Sequence, residues 1–228
     1  MNKHTFILTV CTLIALLLLS CANSEHNRVV PSAKSVKITY NQADFNSITA
    51  DMQANVDITT GKEFSVTATV PENISDYFIV KKNGNTLHIS CKQIEMRQAA
   101  HRTPPTIYVT LPELASLTTS DQCSVSVRGN VGANFTLRSS DQSIIDFCSN
   151  LTATSITLRA EDQSVISADN ISVRNITIST GDQSSVDIEN LTATNGTIVN
   201  SDQSSLSVKS RTGDIKVKTT DQASYSTH

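Results

Sequence analysis

Residues 200 to 208 read NSDQSSLSV, and variants of this stretch recur throughout the second half of the chain. Its Asp-Gln dipeptide occurs six times, at intervals of 20, 21, 20, 20 and 19 residues. The aspartates are Asp121, Asp141, Asp162, Asp182, Asp202 and Asp221, followed in turn by Gln122, Gln142, Gln163, Gln183, Gln203 and Gln222. Repetition at a period near twenty is typical of a solenoid, in which each repeat forms one coil.

Two apolar positions follow each Asp-Gln pair. The fourth residue after the aspartate is Val125, Ile145, Ile166, Val186, Leu206 or Tyr225, and the sixth is Val127, Phe147, Ala168, Ile188, Val208 or Thr227. A spacing of two residues places both side chains on one face of a strand. A second such pair, as in Ile156 and Leu158, comes later in the repeat, after an Asn-apolar corner such as Asn150-Leu151. Each repeat is therefore predicted to form two short strands and two corners.

One coil of this kind cannot bury its own apolar face, so successive coils must stack to enclose a core. The composition agrees, since the second half is dominated by Ser, Thr, Val and Ile, which favour strands. The predicted fold is all-β: a right-handed parallel β-helix with about 20 residues per coil and coils about 4.8 Å apart.

The Asp-Gln dipeptide suits a corner. Aspartate is a turn former because its carboxylate can accept hydrogen bonds from downstream backbone amides, and stacked glutamines can form an amide ladder. The alternative is a site: six aligned carboxylates could hold calcium, which binds oxygen ligands. Neighbouring exposed carboxylates repel by only about 1 kcal/mol in water, so the row can exist without a metal. We predict a structural row and no cofactor, with calcium as the alternative.

The row could also serve a carbohydrate-active enzyme of the polysaccharide lyase or hydrolase type, since such enzymes use carboxylate pairs. The histidines are scattered, however, and no basic catalytic pair accompanies the aspartates. Repetition is also a poor way to build one unique site. The sequence therefore favours a non-enzymatic binding module.

The remaining columns have structural explanations. Thr136, Thr157, Thr177 and Thr197 form an outward column, which the strand preference of threonine explains. Cys123 and Cys148 fall on opposite faces of equivalent strands, so we expect no disulfide between them.

The first residues are typical of an export signal. An apolar run from Phe6 through Leu19 follows Lys3, and Leu18-Leu19-Ser20-Cys21 resembles a bacterial lipoprotein cleavage box. This resemblance implies that residues 1–21 are a signal peptide ending in a lipidated Cys21, which would anchor the chain to the outer membrane. The formal net charge is −3 without a basic cluster, so nucleic acid is not expected as a partner.

The rest of the chain divides into three parts. Residues 22–40 are predicted to be a tether, residues 41–118 a β-rich part with a hairpin at Asn83-Gly84, and residues 119–228 the regular repeats. The last coil has no evident cap, so its strand edge is expected to support self-association.

Five segments of the first half occur in a familiar order: DFNSI (44–48), VDITTG (56–61), FSVTA (64–68), NGNTLHIS (83–90) and IYVTLPELASL (107–117). Together with the repeated polar turns, this order resembles the head GIN domain family of auto-transporter adhesins, found largely in Bacteroidetes. Where that family has a Gly-rich turn, this chain has Asp-Gln-Ser. The resemblance implies a β-helical cell-envelope or surface protein, often lipid-anchored, with an adhesive role that has no assigned ligand and with no catalytic residues. The ordered Ser and Thr surface of the repeats suits a glycan or protein ligand, which we expect as the partner.

Overall fold

The computed structural model describes residues 28–92, 95–96 and 104–227, so the predicted signal and Cys21 lie outside the described part. A 3-10 helix spans Glu72–Tyr77. The strands are β1 (Arg28–Val29), β2 (Ser35–Tyr40), β3 (Ser47–Asp51), β4 (Asn55–Thr60), β5 (Ser65–Pro71), β6 (Phe78–Asn83), β7 (Thr86–Cys91), β8 (Glu95–Met96), β9 (Thr106–Leu111), β10 (Ser116–Ser120), β11 (Ser124–Arg128), β12 (Asn134–Ser139), β13 (Ile144–Phe147), β14 (Leu151–Ala160), β15 (Val165–Thr180), β16 (Ser185–Asn200), β17 (Ser205–Thr219) and β18 (Ser224–Thr227).

Stacked parallel strands confirm the predicted β-solenoid, which has about six turns of about 20 residues. Equivalent residues lie directly over one another: Ile145 pairs with Ile166, Ile166 with Val186, and Val186 with Leu206. All four of these side chains are buried, as the alternation predicts.

The coils have three faces. Face A contains β6, β7, β3, β10, β12 and the later parts of β14 to β17 (155–160, 175–180, 195–200 and 214–219). Face B contains β2, β5, β9, β4, β11, β13, the first parts of β15 to β17 (165–168, 185–188 and 205–208) and β18. Face C is a short ladder at 151–153, 171–173, 191–193 and 211–212.

Face C corrects the prediction of two strands per repeat. Leu151, Ile171 and Leu191 stack in register and are buried, and the residue two positions further on also points inward. The Asn-apolar corner is thus itself a short strand, because an inward residue at every second position is enough to continue the ladder.

The stacking order differs from the chain order at the first coils. On face A, β3 lies between β7 and β10, so the coil formed by β3 and β4 is sandwiched by two coils that follow it in sequence. The parallel ladders therefore extend from residue 47 through the regular repeats without a break.

Antiparallel strands cover the N-terminal end of the stack. β2 pairs with β5, β5 with β9, and β6 with β7 through the predicted hairpin at Asn83-Gly84. The predicted tether (22–40) is wrong for residues 35–40, since β2 belongs to the sheet. Its alternating Val36, Ile38 and Tyr40 are half-buried against the core.

The other end of the stack is less well covered. β18 pairs only with β17 among the described strands, and Tyr225 is half-buried while Thr227, predicted to point inward, is exposed. The reason is that no described coil lies over them. Self-association through this edge stays a prediction.

Candidate functional site

The Asp-Gln dipeptides line the corner where face A turns into face B, here called the Asp-Gln edge. In the first four, both residues have positive φ, for example 51° at Asp162 and 64° at Gln163. Ser164 N donates to Glu161 O at 3.0 Å, which closes a two-residue turn of type I′. Such turns reverse the chain within two residues and suit the narrow corner of a solenoid.

The expected capping of downstream amides by the aspartates is wrong. Within the described chain, no backbone amide donates to a carboxylate of the row. The bonds to Asp141 and Asp202 instead come from the hydroxyls of the preceding Ser140 and Ser201, at 2.9 and 3.0 Å. With the aspartate itself in the left-handed region, the turn is closed by backbone atoms alone.

The central peptide of each turn links neighbouring coils. Gln142 N donates to Asp162 O at 2.9 Å, so in the early coils the bond runs toward the C-terminal coil. At the last turn Gln222 N donates back to Asp202 O, also at 2.9 Å. The cause is a change of turn type: Asp202 keeps a positive φ but Gln203 does not, which defines type II′ and flips the central peptide.

The predicted glutamine ladder is present along most of the edge. In this ladder the side-chain Nε2 of one glutamine donates to the Oε1 of the next. The N–O distance is 3.1 Å from Gln142 to Gln163 and from Gln163 to Gln183. It is 3.0 Å from Gln183 to Gln203 and 3.5 Å from Gln203 to Gln222.

Two members of the edge escaped the sequence analysis. Gln53 donates to the side chain of Gln122 at 3.0 Å, and Asp51 shares a hydrogen bond with Asp121. The pattern was interrupted because Met52 separates this aspartate from its glutamine. The signal available was the alternating Val56 and Ile58 that follow it.

Two carboxyls of the row hold their protons more tightly than usual. The pKa of Asp121 is raised from 3.8 to about 6, first by its hydrogen bond to Asp51, then by partial burial and by the negative charges of Asp51 and Asp141. The pKa of Asp162 is also raised, by desolvation and by Asp141, Asp182 and Glu161. Row neighbours thus oppose each other's ionisation.

This proton makes stability depend on pH. The folded chain binds it up to about pH 6 and the unfolded chain only up to about 3.8, so the stabilisation is full below pH 3.8 and is lost as pH rises through 6. Because Asp121 is exposed, screening limits the effect to about 1 kcal/mol. We expect Asp121→Asn to flatten the decline in stability between pH 4 and 6, measured by urea unfolding.

Asp169→Asn removes an exposed carboxyl outside the row and serves as the control. It should leave the pH slope unchanged. An equal flattening in both variants would show that net charge, and not the Asp51 contact, causes the dependence.

The turn geometry predicts a second mutational result. Gln163→Gly and Gln163→Ala both remove the ladder amide, but alanine must then hold φ near 64°. We expect the alanine variant to be less stable by about 1 kcal/mol, because a Cβ is disfavoured in the left-handed region. Thermal unfolding measures this difference between the glycine and alanine variants. At Gln203, where φ is not positive, the glycine variant should be no more stable than the alanine variant.

The row borders an open groove. A volume of about 490 Å³ is lined by the first four Asp-Gln pairs, and a second of about 360 Å³ by the last three. Over the described residues, no group of three or more His, Cys, Asp or Glu side chains is arranged to hold a metal ion. A straight row spreads its carboxylates along one line, whereas calcium requires six to eight oxygens around one point.

The interior of this corner is polar. Ser164 and Ser184 point inward, are buried, and donate to Ser139 O and Ala160 O of the preceding coil at 3.0 and 2.8 Å. These two hydrogen bonds link the turns at Ser164 and Ser184 to the preceding coil. Ser143 is the exception, since its buried hydroxyl has no partner in the described structure.

The cysteines offer no reactive centre on this edge. Cys123 is buried and Cys148 is exposed, so they lie on opposite faces as predicted. Burial, and secondarily the charge of Asp51, raises the pKa of the Cys123 thiol to about 12, which keeps it protonated.

These features define a parallel β-solenoid with repeated polar faces and an acidic edge. The family model described as "Putative auto-transporter adhesin, head GIN domain" matches residues 44–225, and the chain belongs to this family. The resemblance found in the sequence is thereby confirmed. Membership supports an adhesin-like, non-enzymatic role and a cell-surface or envelope location. In the described part of the chain, no helix is long and apolar enough to cross a membrane.

Solved structures share the fold. A "Putative lipid binding protein" from Parabacteroides distasonis ATCC 8503 has a TM-score of 0.71 and 14% identity, over 88% of this chain and 98% of its own. A "putative adhesin" from Bacteroides fragilis NCTC 9343 has a TM-score of 0.61 and 17% identity, over 84% and 100%. A further "putative adhesin" from Parabacteroides distasonis ATCC 8503 has a TM-score of 0.58 and 13% identity, over 87% and 100%. A search of curated proteins finds no match.

Proposed function

We propose that this chain is an outer-membrane lipoprotein that presents its β-solenoid as a non-enzymatic, adhesin-like binding module. The family match over residues 44–225 carries the proposal. The anchor is Cys21, on the strength of the cleavage-box resemblance in the sequence. A lipidated Cys21 would carry several acyl chains, which bind the membrane stably, whereas a single chain binds only reversibly.

The surface suits a ligand that lies along the solenoid. Equivalent side chains repeat at every coil, for example Thr157, Thr177 and Thr197 in register on face A. The two grooves along the Asp-Gln edge are open, and their lining is the repeated row itself. Such a surface offers many equal contacts in a line, which favours an extended glycan or a protein over a small molecule.

Lipidation is tested by labelling cells with a palmitate analogue. We expect the full chain to be labelled and to sediment with outer membranes, and Cys21→Ser to lose both properties. Cys148→Ser changes an exposed cysteine of the solenoid and should behave as wild type. Labelling that survives Cys21→Ser would refute the anchor.

Binding without catalysis is tested on a glycan array, followed by product analysis for every glycan retained. We expect retention with no change in the glycan's chain length. Cleavage that disappears when the six aspartates of the row are changed to asparagine would instead support the carbohydrate-active enzyme.

A further inference from the structure

Charged residues are segregated among the faces of the solenoid. Two outward columns run along the centre of face A, and within the described chain neither contains an aspartate or glutamate. One column is Asn83, Thr86, Ser47, Ser116, Thr136, Thr157, Thr177, Thr197 and Lys216; the other is Lys81, His88, Thr49, Thr118, Arg138, Arg159, Ser179, Val199 and Lys218. The centre of face A is therefore a sheet of mostly hydroxyl side chains with five permanent positive charges.

On the described strands of face A, negative charge is limited to Asp51 and Asp214, which lie in outward columns at its margins, and most of it lies elsewhere. The central outward column of face B contains Asp57, Asp146 and Asp187 alternating with serines, and the aspartate row follows the corner between the two faces. The net charge of −3 is therefore unevenly distributed, with a cationic centre of face A beside an acidic edge.

Most of the cations on face A are free to bind. Arg138, Lys216 and Lys218 are exposed and make no salt bridge with any described residue, whereas Arg159 is paired with Glu161. Lys216 and Lys218 lie on β17, the last strand of face A, and Arg138 lies four strands away in register. The strand spacing puts about 19 Å between Arg138 and Lys218.

We propose that face A binds an extended anionic glycan, whose carboxylate, sulfate or phosphate groups contact Arg138, Lys216 and Lys218 while the threonine column hydrogen-bonds its hydroxyls. This inference rests on the proposed function and specifies its ligand class and surface. It adds the charge of the ligand, which the family does not indicate.

The shape of face A requires a polymer. Its nine strands span about 38 Å, and its cations are spread over that length, so a small anion could neutralise only one of them at a time. Several weak contacts along one chain add up through high effective concentration. The acidic edge would also repel the anionic groups of the polymer, and this repulsion would keep the polymer on face A.

Two other polyanions fit less well. Single-stranded nucleic acids require several aromatic side chains for base stacking, and the two central columns of face A contain no Phe, Tyr or Trp. A membrane surface requires an apolar layer as well as charge, but Val199 is the only aliphatic residue of the two columns, and it is half-buried. The threonine hydroxyls match the polar groups of a sugar chain.

The test measures the affinity of the detergent-purified full chain for polygalacturonate, dextran sulfate and neutral dextran, at low and physiological salt. The face variant carries Arg138→Glu, Lys216→Glu and Lys218→Glu. The matched control carries Lys37→Glu, Lys62→Glu and Lys92→Glu, three exposed lysines outside the central columns of face A. Both variants change the net charge equally.

We expect the two anionic polymers to bind in a salt-dependent manner and neutral dextran not to bind. The loss of three solvent-screened contacts predicts a weakening of about tenfold or more in the face variant, and less than about twofold in the control. Circular dichroism spectra must match, so that unfolding is excluded as the cause.

The inference is overturned if neither anionic polymer binds, if neutral dextran binds equally, or if both variants lose the same affinity. Tighter, face-dependent binding to phosphatidylglycerol nanodiscs would assign the surface to lipid, and salt-sensitive self-association lost in the face variant would assign it to a second copy. In each of these cases adhesion through another surface, seen on the glycan array, would leave the proposed function intact.

Discussion

Replacing Phe147 with alanine is expected to lower the free energy of unfolding by about 3 to 5 kcal/mol. The side chain is 1% exposed, and its ring meets that of Phe135 edge-on, with centroids 5.9 Å apart. On face B, Phe147 pairs with Ala168 of the next coil, and the large ring fills space that the small alanine leaves open. The surrounding coils cannot close the cavity, because their ladders hold them in register.

The matched control is Cys148→Ala, which truncates the exposed residue directly after the end of β13. It should change stability by less than about 0.5 kcal/mol. Urea unfolding followed by circular dichroism measures both variants. A loss below about 1 kcal/mol for Phe147→Ala would mean that the coils can shift to fill the space, which contradicts a rigidly stacked core.

Asn200→Ala is expected to cost about 2 to 3 kcal/mol and to loosen the last coil. Asn200 is fully buried behind the Asp-Gln edge, where its side chain accepts hydrogen bonds from the hydroxyls of Thr180 and Ser204. Its amide donates to Ser224 O at 2.6 Å, which ties β18 to the coil below. Alanine removes the shared acceptor of both hydroxyls, which keep only their bond to each other and the bond from Ser204 to Ser201 O, and it takes the amide donor away from Ser224 O.

Hydrogen exchange distinguishes this local effect from a general one. Amides of β18 should lose protection in Asn200→Ala, while those of β11 and β13 keep theirs. Asn190→Ala is the control, because Asn190 is exposed and only donates to Asn170 at 2.9 Å. Uniform loss of protection in Asn200→Ala would show that the last coil is not held by this contact.

The periodic part of the molecule was accessible from the sequence, since a strand that must bury one face repeats its apolar residues at fixed positions. Val125, Ile166 and Leu206 are buried for this reason, and the glutamines form their ladder because equal spacing puts them in register. Interrupted repeats were missed: Met52 displaced Asp51 from its glutamine, and the inward Leu151 and Ala153 looked like a corner when they form face C.

Turn conformation was less accessible. Asp-Gln at a corner is compatible with side-chain capping and with a left-handed two-residue turn, and the composition of the dipeptide does not distinguish them. The stacked backbone decides, because Gln142 N and Asp162 O must meet across 2.9 Å. The change to type II′ at Asp202 also comes from the stacked backbone, because the dipeptide there is the same Asp-Gln as in the earlier turns.

By itself, the sequence determined that the chain builds a parallel β-solenoid with an aspartate row on one corner, because burial alternates with a period of two inside a repeat of about twenty. Only the tertiary structure decided the order of the first coils, the contact between Asp51 and Asp121, and the separation of cationic face A from the acidic edge. Each of these brings together residues far apart in sequence, and stacking alone determines which side chains become neighbours.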